Sequence, residues 1–245
     1  MRDGLRHLDP RPGGRGMSDG TELKVDLLDR LRALDSCAVS DALDTLGLAG
    51  ATTGLRPLWP VPGVVAGFVR TVRAGPRPSE GPADHIATAA IEAAHADDVL
   101  VIANAGRTDV SCWGGILAVA AEGRGLRGVV IDGACRDIAE SEELAFPVFG
   151  RAVVPVSARG RIVQLAMDEP VDVAGIRVGP GDLVLADRNG VVFVPCDRTE
   201  DVIGLAERIV EREAAMVAAV RAGRPVTDVM HDSRFPSIES EETER

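Results

Sequence analysis

Two short stretches of the sequence carry residue types that could do chemistry on a small anionic substrate. The first is Trp113-Gly114-Gly115-Ile116-Leu117, which follows the apolar run DVLVIA (98–103) and opens a run of helix formers. A helix start leaves N–H groups without intrahelical partners, and adjacent glycines let a ligand approach closely, so this stretch suits a carboxylate or phosphate. A plain tight turn before a helix would read the same way. The second is Asp132-Gly133-Ala134-Cys135-Arg136-Asp137, after the apolar run GVVI (128–131). Arg136 and Asp137 could place a cation beside a metal-binding carboxylate, and Mg²⁺ often takes only one or two protein carboxylates. The plainer reading makes Asp137 the N-cap of a helix over 137–144, with Arg136 solvated. Ligands of α/β sheets collect beyond the carboxyl ends of strands, where both stretches fall.

Other reactive residues carry less weight. Lys24 is the only lysine among 27 basic residues. It lies in a polar N-terminal stretch, so Schiff-base chemistry is nearly excluded. Arginine, with a planar fork and permanent charge, suits carboxylate and enolate partners. Cys135 beside Arg136 could be a low-pKa thiolate, although a lone cysteine is more often packing. His85 and His95 do not share a helix face and read as structural or exposed. Asp187-Arg188-Asn189-Gly190 lacks the remaining acids of a calcium loop and reads as a hairpin turn.

The elements that must position these residues follow from pattern. Residues 1–20 are rich in Gly, Pro and Arg and read as a disordered leader, so a chain starting at Met17 is expected to match the full chain in stability. A helix is expected over 25–34, and a second over 36–43 with a Ser or Asp cap. Strands are expected at 64–72, 98–103 and 128–131, alternating with helices at 84–94, 114–122 and 137–144. That order of apolar strands and helices implies a parallel βαβ core. Residues 161–195 are broken by Pro-Gly and Asn-Gly and read as an antiparallel β-meander, followed by a long helix over 199–222. The fold class is therefore α/β with an added β layer, in one domain over 21–235 with an acidic tail at 236–245.

Composition narrows the function. The net charge is −11 and the pI about 4.9, which argues against nucleic acid or an anionic membrane as partner. No apolar run is long enough for a spanning helix, and no secretory h-region is present. Four cysteines without C-x-x-C spacing fit reduced thiols in the cytoplasm.

Residues 38–195 resemble the RraA-like family, which includes class II 4-hydroxy-4-methyl-2-oxoglutarate aldolases. The matching stretches are VSDALDTLGLAG, GLRPLWP, DDVLVIANAG, WGGILAVAAEGRGLRGVVIDGACRD and GDLVLADRNGVVFVP, in family order. The resemblance implies a layered β/β/α, swivelling-domain-like fold. It implies that the backbone of Gly114, Gly115, Ile116 and Leu117 holds the carboxylate of a pyruvate-like substrate. Arg136 would contact the oxo oxygen and steady the enolate, and Asp137 would hold a divalent metal, Mg²⁺ or else Mn²⁺. The implied activity is a carbon–carbon lyase. It would cleave 4-hydroxy-4-methyl-2-oxoglutarate-type substrates to pyruvate, or decarboxylate oxaloacetate, through a metal-bound pyruvate enolate. Relatives form trimers or pairs of trimers, and some act instead as regulators that bind and inhibit an RNA-degrading enzyme.

One departure matters. The aldolases carry an acid twenty-one positions before the arginine, where this chain has Gly115. That acid is thought to organise the proton exchanged at the pyruvate methyl. The substitution therefore implies decarboxylation with slow methyl exchange, unless Asp109, Asp132 or a neighbouring subunit supplies the acid.

Overall fold

The computed structural model describes residues 19–79 and 84–231. In chain order the elements are α1 (Asp19–Arg32), α2 (Ser36–Thr45), β1 (Arg56–Pro57), β2 (Val65–Pro76), α3 (Thr88–Ala93), β3 (Asp98–Ser111), α4 (Gly115–Gly123), β4 (Gly128–Cys135) and α5 (Ile138–Glu143). There follow β5 (Val148–Gly150), β6 (Ala152–Val153), β7 (Ile162–Met167), β8 (Val171–Val173), β9 (Ile176–Val178), β10 (Leu183–Ala186), β11 (Val191–Val194), α6 (Thr199–Arg221) and α7 (Val226–Met230). Helix α1 begins at Asp19, inside the expected leader; residues 1–18 and the acidic tail lie outside the described residues.

The apolar runs do form a parallel core. Strands β2, β3, β4 and β5 pair side by side in parallel, with α3, α4 and α5 in the connections. All of β4 is buried, and its alternation decides which layer each side chain joins. Val129 and Ile131 pack with Leu117 and Ala118 of α4. Val130 packs on the opposite face with Val171 and Val178 of the β8–β9 ribbon. Each such side chain contributes roughly 1.5–3 kcal/mol when withdrawn from water. Ribbon, sheet and helices thus give the β/β/α layering that the resemblance implies. Helices α1, α2 and α6 form a separate apolar cluster with β10 and β11.

Two details differ from the sequence reading. The segment 161–195 is antiparallel but not one meander. Strand β7 pairs with the far half of β2, β8 and β9 pair only with each other, and the β10–β11 hairpin joins the near half of β2. Strand β3 also continues past Ala103 to Ser111, through what reads as a glycine-bearing loop. It does so with register shifts around Arg107, where Ala105 (φ +52°) and Gly106 (φ +69°) turn left-handed and carry the strand through a bulge.

Candidate active site

Strands β3 and β4 end side by side, and two backbone hydrogen bonds fix how their following helices start. Cys112 N–H donates to the Ala134 carbonyl (3.0 Å), and Arg136 N–H donates to the Trp113 carbonyl (3.0 Å). Trp113 is 2% exposed and stacks on Phe146 at a centroid distance of 6.0 Å. The starts of α4 and α5 are therefore held rigidly together. All six residues singled out from the sequence, Gly114, Gly115, Ile116, Leu117, Arg136 and Asp137, line one cleft of about 590 Å³, a size suited to a small ligand.

Asp137 does not behave as a helix cap. It occupies the N-cap position of α5 in a left-handed conformation (φ +57°, ψ +40°), and its side chain makes no capping hydrogen bond. Its carboxylate turns instead toward α4, where Oδ2 accepts from Gly115 N–H at 3.3 Å. Arg136 Nε lies 3.2 Å from both carboxylate oxygens. Such a conformation is costly for a non-glycine residue and is commonly kept where function requires it. Gly114 makes the approach possible. A Cβ there would stand 2.9 Å from Asp137 Oδ2 and 3.2 Å from Arg136 Cγ.

The anion cradle is partly committed already. Leu117 N–H donates to the Gly114 carbonyl at 3.1 Å, and Gly115 N–H serves Asp137. The N–H groups of Gly114 and Ile116 bond no described group, nor do the terminal nitrogens of Arg136. These are the donors best placed to meet an incoming anion.

The rest of the cleft was not legible from sequence. Arg77, Asp84, His85, Ser157 and Arg159 line it, from the end of β2, the stretch before α3 and the connection between β6 and β7. His85 is exposed, as expected, but it faces the cleft. Their only advance signal is reactive residues in loops rich in Gly and Pro. A further acid adjoins the cleft at Gly115, where an added Cβ would fall on Oε2 of Glu140 and 2.6 Å from its Cδ. The two acids raised as substitutes stand elsewhere. Asp132 is buried against Arg151 (2.6 Å) and Ala174 N–H (3.1 Å), and Asp109 pairs with Arg107 at 2.7 Å. Cys135 is no thiolate, because burial pushes its thiol up to about 12. Helix α1, which carries Lys24, contributes no described residue to the cleft.

Among the described residues no three His, Cys, Asp or Glu side chains cluster as metal ligands. That excludes a closed zinc-type cage from them. A lone, half-buried carboxylate with only long hydrogen bonds does fit a Mg²⁺ ion that keeps its waters and takes further oxygens from a substrate.

Comparison with known proteins places this fold. Residues 36–193 match the RraA-like family, described as Aldolase/RraA. The chain belongs to the RraA-like family. It is 30% identical to protein DlpA of Legionella pneumophila over 84% of its own length, and spans 34% of that longer relative. It is 31% identical to a Halalkalibacterium halodurans protein provisionally named 4-hydroxy-4-methyl-2-oxoglutarate aldolase, over 77% of this chain and 85% of that one. Among solved structures, Streptomyces coelicolor RraAS2 is described as an unusual member of the RNase ES inhibitor RraA family. It superposes with a TM-score of 0.71 at 26% identity, over 83% of this chain and 98% of that one.

Proposed function

We propose that the protein is a divalent-metal-dependent lyase of 2-oxo acids, releasing pyruvate from 4-hydroxy-4-methyl-2-oxoglutarate-type substrates, from oxaloacetate, or from both. The carrying observation is the convergence in one cleft of free N–H groups at the start of α4, the Arg136 guanidinium and the Asp137 carboxylate. The N–H groups of Gly114 and Ile116 orient the substrate carboxylate at the positive end of the helix. The terminal nitrogens of Arg136 donate to the oxo oxygen and stabilise the negative charge that develops there as the bond breaks. A divalent cation held by Asp137, Mg²⁺ or in its place Mn²⁺, would supply Lewis acidity at that same oxygen. Arg77 and Arg159, neither with a carboxylate partner among the described residues, also line the cleft and suit a substrate's second carboxylate.

Assembly into a trimer or hexamer belongs to the same proposal. Ile116 (87% exposed) and Val119 (54%) leave an apolar face on α4 that a neighbouring copy would cover. So does work in the cytoplasm; no described helix is long and apolar enough to cross a membrane.

The test is a coupled pyruvate-release assay with oxaloacetate and with 4-hydroxy-4-methyl-2-oxoglutarate. Turnover should require Mg²⁺ or Mn²⁺ and stop in excess chelator. Full activity in chelator removes the metal role, and no pyruvate from either substrate removes the lyase reading. A second reading, a regulator that binds and inhibits an RNA-degrading enzyme, is favoured by the likeness to RraAS2. It gains if the protein inhibits such an enzyme and releases no pyruvate.

A further inference from the structure

We infer that His85 is the base that takes the proton of the substrate's C4 hydroxyl as the C3–C4 bond breaks, a step that aldol cleavage requires and decarboxylation does not. The inference rests on the lyase reading above and names the group that separates its two reactions.

The backbone is anchored on both sides of His85. The Asp84 carbonyl accepts from Gln164 N–H of β7 at 3.2 Å, and Gln164 Oε1 accepts from Ala87 N–H at 3.0 Å. Ile86 and Ala87 are buried in the core, while His85 between these anchors is exposed and lines the cleft. The ring is oriented as well. Its Nδ1 stands 3.2 Å from the Ile86 carbonyl. A carbonyl can only accept, so Nδ1 carries the hydrogen and Nε2 the lone pair. No described residue hydrogen-bonds Nε2.

The other titratable groups of the cleft suit the task less well. Arginine keeps its proton, which sets aside Arg77, Arg136 and Arg159. Burial pushes the Cys112 thiol up to about 12, and Asp137 serves the metal in the lyase reading. Asp84 remains, but proton transfer is most efficient to a group matched to the working pH, and that describes an imidazole better than a carboxylate. With the C1 carboxylate at the start of α4 and the oxo oxygen at Arg136, C4 and its hydroxyl fall to the rest of the lining.

The step balances as follows. Nε2 takes the hydroxyl proton, and the O–H pair becomes the carbonyl of the departing oxo acid. The C3–C4 pair becomes the enolate double bond, and the oxo oxygen takes up the charge beside Arg136. The enolate carbon then takes a proton from solvent, and the imidazolium returns one to it. In oxaloacetate the electron pair is released by loss of CO₂ instead, and there is no hydroxyl proton to remove.

The experiment measures cleavage of 4-hydroxy-4-methyl-2-oxoglutarate and decarboxylation of oxaloacetate, both with Mg²⁺, alongside a melting curve on the same preparations. His85→Gln and His85→Ala should lower kcat for cleavage by about 10²-fold or more, with KM changed less. Decarboxylation should fall far less, and both variants should melt normally. Added imidazole should restore cleavage in His85→Ala, which a merely structural His85 would not allow. Asp84→Asn should cost cleavage less than either His85 variant. Undiminished cleavage in both His85 variants overturns the assignment, as does an equal fall in both reactions. An unmodified protein that decarboxylates oxaloacetate without cleaving the hydroxy acid also overturns it, while leaving the lyase reading intact. Absence of both activities from the unmodified protein overturns the lyase reading, and this assignment with it.

Discussion

Asp187, in the turn between β10 and β11, accepts hydrogen bonds from Ser36 N–H at 2.8 Å, Ser36 Oγ–H at 2.7 Å and Asn189 N–H at 2.8 Å. Asp137, in the turn between β4 and α5, has partners no nearer than 3.2 Å and a side chain 32% exposed. Both are aspartates at the end of a buried strand. The first is saturated, and its bonds tie the hairpin to the start of α2. The second keeps lone pairs to spare in a left-handed backbone, facing a cleft. Saturation marks a carboxylate that holds the fold, and an unsaturated one in a left-handed turn marks a candidate site.

Four experiments can break or sharpen this contrast. The largest effect should come from Asp137→Asn, because asparagine tolerates the left-handed conformation and keeps the shape while losing the charge. Pyruvate release should fall to background with the melting temperature nearly unchanged. Retained turnover would make Asp137 as structural as Asp187.

Asp187→Ala should do the reverse, leaving activity intact at low temperature. The buried donors of Ser36 lose their acceptor, and so does the part-buried N–H of Asn189, at a cost of about 1–3 kcal/mol. Thermal melting would read this as a loss of roughly 2–4 °C for each kcal/mol.

The third experiment uses acid. Burial opposes ionisation of Asp187, but the bonds from Ser36 and Asn189 outweigh it and hold the carboxyl below the usual carboxylate range. A depressed native value means that the stabilisation is complete above the unfolded value, about 3.9, and is lost as pH falls below it. The gap in melting temperature between the unmodified protein and Asp187→Ala should stay constant near neutrality and close below about pH 4. A gap that persists in strong acid would mean that packing, not charge, carries it.

The smallest effect is expected from Gly114→Ala. Its extended backbone (φ −164°) suits any residue, so only the methyl group matters, pressing on Asp137 and Arg136. KM for the oxo acid should rise by several-fold, with kcat less affected and stability unchanged.

The parallel core was legible in the sequence because DVLVIA and GVVI are buried on both faces and so read as unbroken apolar runs. The two strand ends that carry Gly114–Leu117 and Arg136–Asp137 followed from them. The continuation of β3 was hidden because left-handed Ala105 and Gly106 break its alternation. The rest of the cleft was hidden because Arg77 and Arg159 come to one lining only through tertiary folding. Glu140 could have been found, since its three-residue spacing from Asp137 was in plain view, but only the backbone of Gly115 shows what its carboxylate lies against.

The burial of Cys135 next to Arg136 makes the protein convenient to label. Alkylating dyes attack thiolates, and Cys112 and Cys135, both pushed up to about 12 by burial, remain protonated and shielded at neutral pH. Cys37 on α2 and Cys196 just before α6 are exposed and should take the reagent first. A donor–acceptor pair can therefore be attached to the natural sequence, reporting on the α2–α6 side by fluorescence while the cleft stays chemically untouched.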